Sequence, residues 1–135
     1  MPKVEFTVEG PPLSHHTHNK AALAAWKAAI RAAAAKAWTR PPQSGLLKCT
    51  IMNFFEGSDA PMDDDNMAKP IRDAMNGVVY ADDSQIRYGE YLQTSVDERY
   101  NVRGVSLVLL SAFHVGNPFV YIRVEDAPTK MHLPK

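Results

Sequence analysis

Asp63-Asp64-Asp65-Asn66-Met67-Ala68-Lys69-Pro70-Ile71-Arg72-Asp73-Ala74-Met75-Asn76-Gly77-Val78-Val79-Tyr80-Ala81-Asp82-Asp83-Ser84-Gln85 reads as an acidic turn, a helix, and a tight return to a second acidic turn. It sets six aspartates and one lysine within twenty-one residues. Carboxylates this crowded repel one another and are rarely needed for folding. They are what a hard divalent cation takes as ligands. A lysine fixed among them points to an anionic partner such as phosphate. Pro70 is tolerated in a first helical turn but not deep in a helix, so the regular helix is expected to begin between Asn66 and Lys69. Asn76-Gly77 supplies its C-cap.

Upstream, Val4 to Val8 alternates as a first strand, and Gly10-Pro11-Pro12 ends it. A polar loop from Leu13 carries His15, His16 and His18. Lys20 to Trp38 is alanine-rich, free of Gly and Pro, and helical, with Asn19 as N-cap. Leu23, Trp26, Ile30, Ala33, Ala34 and Ala37 form its apolar face, while Lys20, Lys27 and Arg31 form a basic stripe. Leu46 to Glu56 is strand-like and leads through Gly57 to Pro61 into the acidic run. Downstream, Gln85 to Thr94, Val105 to Val115 and Phe119 to Glu125 read as strands, with a hairpin turn at Gly116-Asn117-Pro118. The order β-α-β-α-β-β-β predicts an α+β fold. Its small mixed sheet carries two main helices in a single domain over 1–135, with a loose tail from Pro128.

No apolar run approaches the length of a membrane span, and the N-terminus lacks a secretory signal, so no membrane partner is expected. Cys49 is the sole cysteine. It excludes an internal disulfide, fits a cytoplasmic location, and reads as a small buried strand residue. Net charge is zero from 15 basic and 15 acidic residues. Set aside the six aspartates, and nine acidic residues face those 15 basic ones, a surplus of six. Bound cations would neutralise the acidic pocket and leave a basic remainder for a polyanion.

In an extended segment Asp63 and Asp65 would face the same way, with Asp64 turned to solvent. Lys69 and Asp73 follow at helical four-residue steps. Asp82-Asp83 returns after the helix and can fold back onto them. Such a cluster suits one or two Mg²⁺ or Mn²⁺ ions completed by water and substrate phosphate, and so metal-assisted phosphodiester hydrolysis. The bland alternatives are a solvated acidic loop, Asp65 as an N-cap, and Asp73 as a surface partner of Lys69. An EF-hand loop is excluded because its sixth position requires glycine.

The pattern Asp63-x-Asp65-Asn66-x-x-Lys69-Pro70, Asp73-Ala74-Met75-Asn76-Gly77-Val78-Val79-Tyr80, Asp82-Asp83-Ser84-Gln85-Ile86 resembles the RusA family of Holliday-junction resolvases, as does Pro11-Pro12-Leu13-Ser14. The match is dense over the acidic segment and fades after Ser95. The resemblance implies a Mg²⁺-dependent endonuclease that acts as a homodimer on four-way DNA junctions in recombination and repair. It implies catalytic Asp63, Asp65, Asp83 and Lys69. Asp63, Asp65 and Asp83 would hold metal together with Asp82, and Mn²⁺ is a possible substitute. Asp73, Asn66 and Gln85 would support the site.

The loop His15-His16-Thr17-His18-Asn19-Lys20 departs from the family's usual Asn with Arg or Tyr. Residues Ser58 to Met62 lack the arginines often found there, and the C-terminal part is longer. His15 and His16, continued by Lys20, Lys27 and Arg31, form a candidate DNA-backbone track, weighed against an ordinary solvated loop and helix. A three-histidine zinc site has no fourth ligand in view. Tyr80, Tyr88, Tyr91 and Tyr100 are candidates for dimer or DNA contacts, with core packing their commoner fate. The competing functional readings are a nuclease for other branched DNA, a non-catalytic DNA-binding protein with a relic site, and an interaction module with an acidic face.

Overall fold

Leu47, Cys49, Ile51 and Asn53 alternate with Lys48, Thr50 and Met52, a period of two that gives one strand an inner and an outer face. In a computed structural model, which describes residues 3–57, 62–98, 100 and 103–135, that strand is β2, Leu47–Phe55. It stands inside a four-stranded mixed sheet of order β1-β4-β2-β3, with β1 at Val4–Glu9, β3 at Ile86–Ser95 and β4 at Phe119–Asp126. β4 runs antiparallel to both β1 and β2, whereas β3 is parallel to β2. The α+β class with a small mixed sheet is as expected. The lead-in 58–61, with its missing arginines, lies outside the described residues.

Two helices cover the inner face. α1, Lys20–Ala37, buries Trp26, Ile30 and Ala34, and Asn19 caps it by accepting from the Ala22 N–H at 3.0 Å. α2, Asp64–Ala74, buries Met67, Ala68, Ile71 and Ala74. Their apolar faces meet Val4, Phe6, Leu47, Cys49, Ile51, Val120, Ile122 and Val124 of the sheet. Each fully buried isoleucine here, Ile30, Ile51, Ile71 and Ile122, contributes about 1.5–3 kcal/mol. Cys49 is buried as expected, and burial pushes its thiol up to about 12. Among the described residues no helix is long and apolar enough to cross a membrane.

The segment expected as a strand over Val105 to Val115 is instead a third helix, α3, Leu107–Val115. Ser106 caps it by accepting from the Leu109 N–H at 3.2 Å, and Gly116 ends it with φ at +84°. Gly116 is thus a left-handed helix terminator rather than half of a hairpin turn. The run is apolar all round, so periodicity could not separate helix from strand. α3 covers the far end of the outer face, where Phe54, Phe119, Tyr121, Tyr100 and Phe113 cluster. Leu107 stays 79% exposed. The segment after Pro128 is exposed and lacks regular structure.

Replacing Ser106 with alanine removes the α3 cap. Urea unfolding should show a loss of about 1 kcal/mol, with α3 amides exchanging faster than those of the sheet.

Candidate active site

α2 starts earlier than expected, at Asp64, with Asp63 as N-cap. Pro70 therefore lies inside the helix, at its seventh residue. Proline has no N–H, so the Asn66 carbonyl four residues back loses its helical partner. That carbonyl accepts instead from the His15 backbone N–H at 2.9 Å. The histidine loop thus replaces the bond that Pro70 cannot make. It also docks His15 and His16 beside the first turns of α2.

The earlier start changes the aspartate geometry. Asp63 and Asp65 do not alternate along an extended segment. They occupy the N-cap and the second helical position, and Asp65 is not the cap. The Asp63 side chain makes no cap hydrogen bond. Asp64, expected to face solvent without a role, accepts through Oδ1 from Gln93 Nε2 at 2.9 Å. The positive end of the helix dipole favours carboxylates here, which offsets part of their mutual repulsion.

One turn on, Lys69 Nζ donates to both oxygens of Asp73, at 3.0 and 3.1 Å. Lys69 is half exposed, so the pair adds little stability. It does fix where the ammonium points. Gly77, at φ +78°, then turns the chain and donates its N–H to the Tyr80 carbonyl at 2.7 Å. Tyr80 is fully buried, and its hydroxyl donates to the Arg72 carbonyl at 2.6 Å. Helix end and return segment are locked together.

The return delivers a 3-10 turn, Asp83–Gln85. Asp82, expected among the metal ligands, caps it: Oδ2 accepts from the Ser84 N–H at 3.0 Å, and bonding to Ser84 holds the carboxyl below its ordinary value. Gln85 accepts from the Asp82 N–H at 3.0 Å and donates to the carbonyls of Gln43 and Gly45 at 2.9 and 3.0 Å. Its role in the motif is to shape and anchor the turn. Asp83 is left as the acidic side chain of the turn that takes no part in the capping box.

What ties the second acidic turn to α2 is Arg72, which the motif did not single out. Its Nη2 donates to the Asp83 carbonyl and its Nη1 to the Tyr91 hydroxyl, both at 3.2 Å. Burial alone would lower the Arg72 pKa. The neighbouring Tyr91 and Asp83 outweigh that and raise it. Burial raises the Tyr91 pKa against the opposing pull of Arg72. Arg72 therefore ties the Asp83 turn to α2, the helix that carries Asp65 at its second position. Gly89 makes room for Tyr91: a Cβ there would come within 2.5 Å of the Tyr91 hydroxyl oxygen. A glycine inside a strand is the sequence signal that could have exposed this arrangement.

Among the described residues no three His, Cys, Asp or Glu side chains are gathered as a ready metal cage. The donor set nonetheless fits Mg²⁺, a hard ion commonly held by one or two carboxylates, several waters and substrate phosphate. The candidate ligands are drawn from both ends of α2: Asp63 and Asp65 at its start, and Asp83, with Asp82 beside it, in the turn beyond its far end.

The basic stripe divides. His15 meets Asn66 near the start of α2, and Arg31 reaches the Ala74 and Asn76 carbonyls at its end, at 3.3 and 2.9 Å. α1 and α2 thus lie side by side, running the same way. Arg31 is engaged in holding the end of α2, while Lys20 is exposed and Lys27 half-buried along the flank. Tyr91 is tied to Arg72, Tyr100 packs on Phe54 and Phe113, and Tyr88 is half-buried on β3.

Replacing Pro70 with alanine restores an N–H that competes for the Asn66 carbonyl. Hydrogen exchange should show the His15 amide losing protection, while thermal stability is unchanged or higher because alanine is the better helix former.

The family model Endodeoxyribonuclease RusA matches residues 7–103, well over half of the chain. No curated protein matches it.

Proposed function

The chain belongs to the RusA family of endodeoxyribonucleases, enzymes of the Holliday-junction-resolvase type, and from that premise we propose that it is a Mg²⁺-dependent nuclease that resolves four-way DNA junctions in recombination and repair. Asp63, Asp65 and Asp83 hold the metal, and Lys69 contacts the scissile phosphate. The observation that carries this reading is the Arg72–Asp83 bond, which ties the Asp83 turn to the helix that bears Asp65 and the Lys69–Asp73 pair.

When bound, Mg²⁺ supplies charge neutralisation at the phosphate and acidity to the attacking water. The chain's own groups do the rest. Asp73 aims the Lys69 ammonium, which exchanges that exposed partner for a phosphate or leaving oxygen as negative charge develops there. Asp82 and Gln85 keep the Asp83 turn in shape. Arg72 offsets the crowding of carboxylates before substrate arrives. His15, His16, Lys20 and Lys27 flank α2 and contact the DNA backbone, which positions a duplex arm without reading its sequence. A homodimer suits the task, because a two-fold symmetric substrate cut in two strands calls for two symmetric sites.

Purified protein with Mg²⁺ should nick a synthetic four-way junction at paired, symmetric positions. Asp65→Asn should abolish cutting while junction binding persists in a gel-shift assay. Equal cutting of linear duplex would refute junction selectivity, and a monomeric mass by light scattering on the junction would refute the dimer. Lys69→Met should lower kcat by about 10²–10³-fold with little change in junction affinity.

A further inference from the structure

The inner face of β2 reads Leu47, Cys49, Ile51 and then Asn53. Among the described residues Asn53 is the one buried polar side chain, at 1% exposure. A buried amide is costly unless it is bonded. Asn53 stands opposite Gln93 in the parallel β2–β3 register, and its Nδ2 donates to Gln93 Oε1 at 3.2 Å. Gln93 Nε2 in turn donates to the Met62 carbonyl at 2.5 Å and to Asp64 Oδ1 at 2.9 Å.

A glutamine amide has one acceptor oxygen and two N–H donors. All three roles are filled, and only one orientation of the amide fills them. The Met62 carbonyl and the Asp64 carboxylate can only accept, so the NH₂ group must face them. The oxygen must then face the Asn53 donor. Asn53 thereby holds the oxygen end of that amide from inside the core, so the orientation is supported at both ends. The two groups that Gln93 holds flank Asp63 in the chain, one before it and one after it.

We propose that Gln93, supported by buried Asn53, is a positioning residue that grips the chain on both sides of Asp63 and sets its carboxylate for metal. This rests on the reading of Asp63 as a metal ligand. It adds a requirement that the acidic motif does not contain: a cross-strand amide pair at the end of the parallel strands. A clamp that merely docked α2 would affect stability alone. A positioning clamp must also affect metal affinity and turnover.

The experiment compares the full chain with Gln93→Met, Gln93→Glu, Asp64→Ala and Asp63→Asn. It measures Mn²⁺ binding by calorimetry without DNA, kcat and KM on a four-way junction with Mn²⁺, and the thermal midpoint. Gln93→Met nearly conserves volume and should weaken Mn²⁺ binding and lower kcat about 10–100-fold, with the junction KM unchanged. Gln93→Glu has nearly the same shape but sets an acceptor against two acceptors, and should fare at least as badly. Asp64→Ala changes an exposed residue, keeps the core intact, and should show a smaller loss in the same direction. Raising Mn²⁺ should restore turnover in Gln93→Met but not in Asp63→Asn. If Gln93→Met and Asp64→Ala shift only the thermal midpoint, or nothing, while Asp63→Asn is inactive, the clamp is not a positioning device and the proposal falls alone. If Asp63→Asn cuts and binds Mn²⁺ like the parent, the reading beneath it falls instead.

Discussion

Parallel pairing of β2 with β3 is the constraint on which the rest of the molecule depends. Two parallel neighbours cannot be joined by a tight turn, so the chain between them must cross back over the sheet. Here α2 makes that crossing, buried through Met67, Ala68 and Ile71. The crossover brings the N-terminus of α2 to the carboxyl ends of β2 and β3, where the Asn53–Gln93 pair meets Met62 and Asp64. Its far end returns the chain to the start of β3, where the Asp83 turn sits. Both acidic turns are therefore tied to one helix, and Arg72 on that helix reaches the second of them.

A helix that carries its site at both ends has to be held against sliding or fraying. Three kinds of bond do this. The Arg31 guanidinium takes the carbonyls at the C-terminal end. The His15 N–H takes the carbonyl that Pro70 leaves without a helical partner. The Tyr80 hydroxyl takes the Arg72 carbonyl. The Asn66 carbonyl would otherwise lack a helical partner, whereas the Arg72 carbonyl also accepts from the Met75 N–H at 3.2 Å; the three donors come from different parts of the chain. The cost of a proline inside α2 thus becomes a docking point for the histidine loop.

Much of the architecture was legible beforehand for identifiable reasons. Alternation marked β1, strand-like runs marked β2, β3 and β4, and the alanine-rich run with Asn19 marked α1. α3 was read as a strand because Val105 to Val115 is apolar at every period. Its cap, Ser106, and its terminator, Gly116, were the better signals. The start of α2 was misplaced because proline was treated as a fixed barrier. The partner that tolerates it, His15, lies 51 residues from Asn66 in sequence.

The sequence by itself determined the chemistry available: carboxylates and a lysine at spacings that suit metal and phosphate, and a helix with turn signals to carry them. Those are properties of residue types and local periods, which a linear string records. Only the tertiary structure decided which residues do which work. It assigned Gln85 to the carbonyls of Gln43 and Gly45, Arg31 to the end of α2, and Asp64 to Gln93. It also brought Arg72, Tyr91 and Gly89 together beneath the site. Those assignments are set by hydrogen-bond partners from separate elements, and the partners meet only when the crossover closes.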